Sequence, residues 1–278
     1  MLKKAAVVYC SPGGSTRHVS RVIEKEIENA GISVLSADLG KGDDGSSVIN
    51  EAGNEKICLF IGSPVYVNHP LPSVMRFISD LPDNADICAV PFVTWGGASS
   101  GIALYDMGKA LIDKGIPLIG AGKILSLHST MWRCENPLGK GHPDEEDDRL
   151  IRKLVREVLK KAAAGSAESL SLSDLAYQTE KVHAEMEKMT LETVRLNMPN
   201  KELSEELCTE CEVCAETCPV QTITLSPYPE FGDNCIFCFQ CVRNCPEEAI
   251  TTDLTLSEER IRMRAKQFEE HPPTQIFI

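Results

Sequence analysis

Eight of the chain's twelve cysteines lie between positions 208 and 245, and they fall there twice in the same pattern. Cys208, Cys211, Cys214 and Cys218 return 27 residues later as Cys235, Cys238, Cys241 and Cys245. Each run ends in a proline, Pro219 and Pro246, and Ile223-Thr224 returns as Ile250-Thr251. Repetition of thiols together with their flanks describes two pseudo-symmetric halves of one small unit. A disulfide scaffold is the wrong frame for it. The other four cysteines, Cys10, Cys58, Cys88 and Cys134, are scattered, and 278 residues can bury a core without cross-links. Clustered thiols in such a chain read as metal ligands in a reducing compartment.

The spacing selects the metal group. Three thiolates with two residues between neighbours wrap one face of a cuboidal cluster from a single loop, and a fourth, after three intervening residues, points away to the other cluster. That assigns one [4Fe–4S] cluster to Cys208, Cys211, Cys214 and Cys245, and a second to Cys235, Cys238, Cys241 and Cys218. The alternative is a pair of zinc knuckles. Zinc takes four tetrahedral ligands and has no use for a third closely spaced cysteine, and no histidine lies near these runs.

Charge is distributed unevenly. Residues 199–256 carry two Lys or Arg against eleven Asp or Glu, while residues 1–165 are nearly balanced. An acidic unit repels nucleic acid and anionic membrane and favours redox partners with a basic docking face. No apolar run approaches the ~18–20 residues of a membrane span. The apolar start Ala5–Tyr9 leads into a glycine turn and reads as a strand, so the chain is expected to be cytoplasmic.

Short apolar runs alternate with helical periodicity over the first 165 residues. Strands are expected at Ala5–Cys10, Ile32–Leu39, Lys56–Gly62, Ile87–Thr94 and Ile116–Leu127. Helices are expected at Ser15–Ala30 and near 71–80, 99–115 and 144–163, the last opening on the carboxylates Asp144–Asp148. This alternation predicts an α/β doubly wound parallel sheet of five strands, in the flavodoxin-like order 2-1-3-4-5. Cys58 and Cys88 fall inside strands as core residues. Gly165–Ser173 reads as a linker. Beyond it, Leu175, Thr179, Val182, Met186, Met189, Thr193 and Leu196 form one helical stripe, docked on a domain or paired with its copy in a homodimer. Ser257–Glu270 reads as a closing helix, and the apolar tail Gln275–Ile278 as packing back. The expected units are 1–165, a linker 166–202, a small α+β cysteine domain 203–256, and a helix with tail 257–278.

The turn Cys10-Ser11-Pro12-Gly13-Gly14-Ser15-Thr16 joins the first strand to the first helix, where a doubly wound fold offers a helix N-terminus to a ligand. Backbone N–H groups with the hydroxyls of Ser11, Ser15 and Thr16 suit a terminal phosphate. The turn lacks both the Gly-Lys-Ser/Thr of a P-loop and G-x-G-x-x-G. The same residues also suit a plain tight turn before a helix. His69 and His128, near strand ends, read as surface or packing residues. Cys10 and Cys134 have no adjacent base, and no nucleophile triad can be assembled.

Two resemblances follow. The segment from 203 to 253 resembles bacterial two-cluster ferredoxins, prolines included. The first turn resembles the flavodoxin phosphate motif Ser/Thr-x-Thr-Gly-x-Thr through Ser11, Gly14 and Thr16, with Gly13 replacing a hydroxyl. That resemblance implies FMN as cofactor, with the loops Ser63-Pro64-Val65-Tyr66 and Thr94-Trp95-Gly96-Gly97 flanking its ring and Tyr66 or Trp95 stacking on it. The whole chain resembles flavodoxin–ferredoxin fusion proteins of anaerobes. The implied function is electron transfer between FMN and two clusters, joining one- and two-electron chemistry. Two other readings stay open: a ferredoxin-fed reductase acting on a quinone, nitro compound or oxygen, and an empty N-terminal scaffold.

Overall fold

The computed structural model describes residues 2–43, 45–52, 56–83, 86–164 and 169–278. Five strands, β1 (Lys4–Tyr9), β2 (Ser33–Asp38), β3 (Ile57–Pro64), β4 (Ile87–Trp95) and β5 (Ala121–Leu125), pair in parallel in the order β2-β1-β3-β4-β5. Between and after them run α1 (Ser15–Asn29), α2 (Gly45–Ala52), α3 (Pro72–Asp80), α4 (Ala103–Asp113) and α5 (Glu145–Ala164). Side chains alternate across a strand, so the apolar runs feed two cores. On one face Ala5, Val7, Cys58, Phe60 and Cys88 pack under α1 and α5. On the other Ala6, Val8, Leu59 and Ile61 pack under α3 and α4. Cys58 and Cys88 are therefore core residues, as their strands imply.

The sequence stripe from Leu175 to Leu196 is not one helix. A 3-10 turn at Leu172–Leu175, α6 (Glu180–Met186), α7 (Leu191–Val194) and a turn at Arg195–Asn197 replace it. Thr179 and Thr190 are the cause. Each accepts a hydrogen bond from a backbone N–H three residues on, so each caps a new start instead of continuing the old one. Leu175 is buried in the core beside α4 and Met186 is buried too, while Leu196 is 97% exposed. Part of the linker, 165–168, lies outside the described residues.

The cysteine segment is built by its repeat. β6 (Glu202–Leu203), α8 (Val213–Glu216) and β7 (Ile223–Leu225) are followed by β8 (Pro229–Phe231), α9 (Gln240–Arg243) and β9 (Ile250–Thr251). The pairing is crossed: β6 pairs with β9 and β7 with β8, both antiparallel. Positive φ recurs at the same repeat positions, 56° and 55° at Glu210 and Phe237, 64° and 55° at Glu212 and Phe239, 48° and 49° at Gln221 and Glu248. After α10 (Thr255–Phe268) the chain turns back, and β10 (Gln275–Phe277) joins β5 antiparallel. The sheet thus has six strands, five parallel and one returning edge strand. No helix among the described residues is long and apolar enough to cross a membrane.

Candidate functional site

The turn after β1 is held open by Gly14, whose φ of 91° puts it in the left-handed region as the N-cap of α1. With no side chain, Gly14 leaves the first helical N–H groups uncapped by its own atoms. Ser11 Oγ accepts from the Arg17 N–H at 2.9 Å, so Ser11 braces the turn. Thr16 Oγ1 meets Thr94 Oγ1 at 2.9 Å, tying the turn to the end of β4. Gly13, Ser15 and Thr16 then line a narrow cleft with Pro64, Val65, Tyr66, Thr94 and Gly96.

That cleft opens into a larger cavity of about 580 Å³, through the shared residues Val65, Tyr66, Gly96, His128 and Ser129. The size suits a cofactor with three fused rings. Its far walls come from elsewhere in the chain: Ile236, Phe237 and Phe239 between the cysteines of the second run, and Arg260 and Arg264 on α10. Two buried polar atoms at this site, Tyr66 Oη and Asn68 Nδ2, make no hydrogen bond among the described residues. Asn68 Oδ1 accepts from Arg264 Nη2. A polar-edged ring would meet unpaired donors here, and the cleft beside α1 would take its phosphate. The residues therefore fit a flavin mononucleotide, which no atom of the structure represents.

Several sequence-predicted residues sit off the cavity. Trp95 is buried behind it, its Nε1–H donating to the Pro273 carbonyl at 2.8 Å, so of the two aromatics Tyr66 alone faces the space. Ser63 Oγ is used internally, donating to Pro64 O and accepting from Leu71 N–H at 2.9 Å each. Gly97 packs beside Leu138 and Gly139. Sequence reasoning missed the loop Ser126–Ser129, although it also ends a parallel strand. It took His128 for a surface or packing residue, yet His128 lines both spaces. Burial pushes its imidazole down to about 4, so it is neutral at neutral pH. Burial, then the thiol of Cys238, pushes the Tyr66 phenol up, and it stays a hydroxyl. Asn68, Arg264 and the phenylalanines carry no local motif that marks them. His69 is a packing residue, its ring bonding Asp106 Oδ2 at 2.7 Å and Met186 O at 3.1 Å.

The eight clustered cysteines gather around two small spaces. Cys208, Cys211, Cys214 and Cys245 line one, and Cys218, Cys235, Cys238 and Cys241 line the other. Burial pushes the thiols of Cys238 and Cys241 up, to about 12 and about 11. Thiolates buried this way call for the positive charge of a metal group. All-thiolate donor sets of four fit an iron–sulfur cluster.

Comparison with known proteins bears on both halves. A family model described as a 4Fe-4S binding domain matches residues 201–224, which hold the first cysteine run. The chain joins a flavodoxin-like sheet to a ferredoxin-type domain. The flavodoxin-like reading rests on the strand order. Solved structures similar to this chain include the rubredoxin oxygen:oxidoreductase of the anaerobe Desulfovibrio gigas, with 19% identity over 59% of this chain and 37% of that one, TM-score 0.47. A flavodoxin from the domain Archaea has 20% identity over 58% of this chain and 99% of its own, TM-score 0.44. A Streptococcus pneumoniae flavodoxin has 15% identity over 57% and 99%, TM-score 0.44. This chain thus covers little over a third of the Desulfovibrio protein. No curated protein matches the sequence.

Proposed function

We propose that this chain is a cytoplasmic electron carrier that binds FMN at the carboxyl ends of β1, β3, β4 and β5 and a [4Fe–4S] cluster at each four-cysteine set. Residues 1–165 with the returning tail form the flavin half, 166–202 the linker and 203–256 the cluster half. The observation that carries this reading is the shared wall: Ile236, Phe237 and Phe239, set among the ligand cysteines, also bound the 580 Å³ cavity. The flavin supplies exchange of one or two electrons and each cluster exchange of one. The chain's own residues do the rest. Ser15, Thr16 and the start of α1 hold the phosphate, Tyr66 and Asn68 orient the ring, and the phenylalanines exclude water. Redox proteins with a basic face suit the acidic cluster half as partners.

Cofactor content after anaerobic purification tests this. About one FMN with about eight iron and eight sulfide per chain is expected. Eight iron with no flavin, even after FMN is added, would leave the first half a scaffold.

One observation favours a second reading, a reductase acting on a small acceptor. A second groove, of about 940 Å³, is also lined by Tyr66 and reaches Cys235 and His69. Steady turnover with a quinone, a nitro compound or oxygen that outpaces exchange with redox proteins would select it.

A further inference from the structure

We propose that the two cysteine sets have different posts in one line of transfer. The set Cys218, Cys235, Cys238 and Cys241 is the inner relay beside the flavin cavity. The set Cys208, Cys211, Cys214 and Cys245 is the outer port through which single electrons pass to and from other molecules. This rests on the flavin-and-cluster reading above.

The repeat makes the comparison internal. The left-handed residues recur at the same positions in both halves, so the side chains at those positions can be compared directly. At the two left-handed positions inside the Cys-x-x-Cys-x-x-Cys loop, the first half has Glu210 and Glu212 and the second has Phe237 and Phe239. The glutamates are exposed, whereas Phe239 is 2% exposed and both phenylalanines wall the flavin cavity. At these matched positions the side chains meet water in one half and the cavity wall in the other.

Packing agrees. Cys238 and Ile236 belong to the core cluster of the sheet domain, and Val220 packs on it. Pro219 lies against Gly40 in the turn after β2, where an added Cβ would be 3.5 Å away. Both chain segments that supply the inner set therefore seat on the flavodoxin-like half. The outer set shares no lining residue with either flavin space among the described residues. Cys211 is exposed, and so is its neighbour Leu207, at 52%.

Charge follows the same division. Lys201 Nζ sits over the rings of Phe231, Phe237 and Phe239 at 4.8, 5.4 and 5.8 Å and lines the inner space. Its repeat mate is the uncharged Tyr228. A cation beside the inner set and glutamates around the outer one favour an added electron inside. Each outer encounter moves one electron, and two encounters match a two-electron change at the flavin.

The test uses the full chain carrying both cofactors, reduced with dithionite and freed of excess. It is mixed with hexaammineruthenium(III), a cationic one-electron oxidant that takes one electron per ion and becomes ruthenium(II). Flavin absorbance gives the rate, and FMN titration of the oxidised chain gives the affinity. In Cys208→Ala/Cys211→Ala, flavin reoxidation should slow about tenfold or more, with FMN affinity within about twofold of the parent. In Phe237→Ala/Phe239→Ala, FMN affinity should fall about tenfold. Should the cysteine variant not fold, Glu210→Lys/Glu212→Lys keeps both clusters. It should slow reoxidation about tenfold at low salt, with the difference fading near 0.5 M. Unchanged reoxidation in the cysteine variant, or in the lysine variant if that one must serve, overturns the order proposed. A parent chain that takes up no FMN overturns the functional reading instead.

Discussion

Lys123 on β5 and Glu270, between α10 and β10, are 147 residues apart in sequence, and their charged atoms lie 3.2 Å apart in the fold. Both side chains are buried, at 3% and 8% exposure. Ser99 and Ser100 also bond the Glu270 carboxylate. Lys123 Nζ lies 4.7 Å from the Tyr177 ring centre. The pair clasps the returning tail to the sheet and so fixes α10, with Arg264, over the cavity at Tyr66. Glu270→Ala leaves a buried ammonium without its partner and should cost about 3–5 kcal/mol of stability, read by denaturant unfolding.

The same carboxylate sets an acid limit. Burial opposes its ionisation, but the Ser100 hydrogen bond and the Lys123 charge outweigh it and hold Glu270 below the usual glutamate value. A depressed value means that the stabilisation is complete above the ordinary carboxylate range and is lost as pH falls through the depressed one. Thermal melts from pH 7 to pH 3 should show a drop in the parent that Glu270→Gln lacks.

His69 works in the opposite direction. The hydrogen bond to Asp106 raises its value, against burial, and both ring nitrogens have acceptors. A raised value gives stabilisation that is full below the ordinary histidine range and lost as pH rises through the raised one. His69 ties α6 to α4, so hydrogen exchange at residues 180–189 should quicken as pH rises through the raised value, beyond its intrinsic pH dependence. His69→Gln should remove that extra step.

Gly96 lines the cavity proposed for the flavin. A Cβ there would lie 2.7 Å from His128 Cα and 2.6 Å from its ring. Gly96→Ala must push the loop of His128 into the space, and FMN affinity should fall about tenfold, or about 1.4 kcal/mol, by fluorescence titration.

Iron removal should unfold one half and spare the other. The buried core of the cysteine half is Cys214, Phe239, Cys241, Val242 and Ile250, two of them among the proposed ligands, and its strands run two or three residues. So small a core depends on its metal. Anaerobic chelation should expose residues 202–251 to protease while the parallel sheet stays protected.

Much of this was legible in the linear chain because the information is local. Thiol spacing describes a loop's reach, and the unbroken apolar runs of β1 and β3 describe strands buried on two faces. The glycine turn at residues 13 and 14 describes a helix start. The stripe from Leu175 to Leu196 misled because periodicity was read without the caps at Thr179 and Thr190. Trp95 and Tyr66 were indistinguishable in sequence, both being aromatics just after strands. Only the tail, arriving at Pro273 from 178 residues away, turns Trp95 inward and leaves the cavity to Tyr66.

By itself, the sequence determined the doubly wound α/β half, the doubled four-thiol pattern and the phosphate-sized turn, because each depends on residues within a few turns or strands of one another. Tertiary structure alone decided which half of the repeat faces the cavity at Tyr66, which aromatic borders it, and that α10 walls it. Those are contacts between segments up to 196 residues apart, such as Asn68 with Arg264. Burial and pairing at that range depend on how whole elements pack, and no local pattern encodes them.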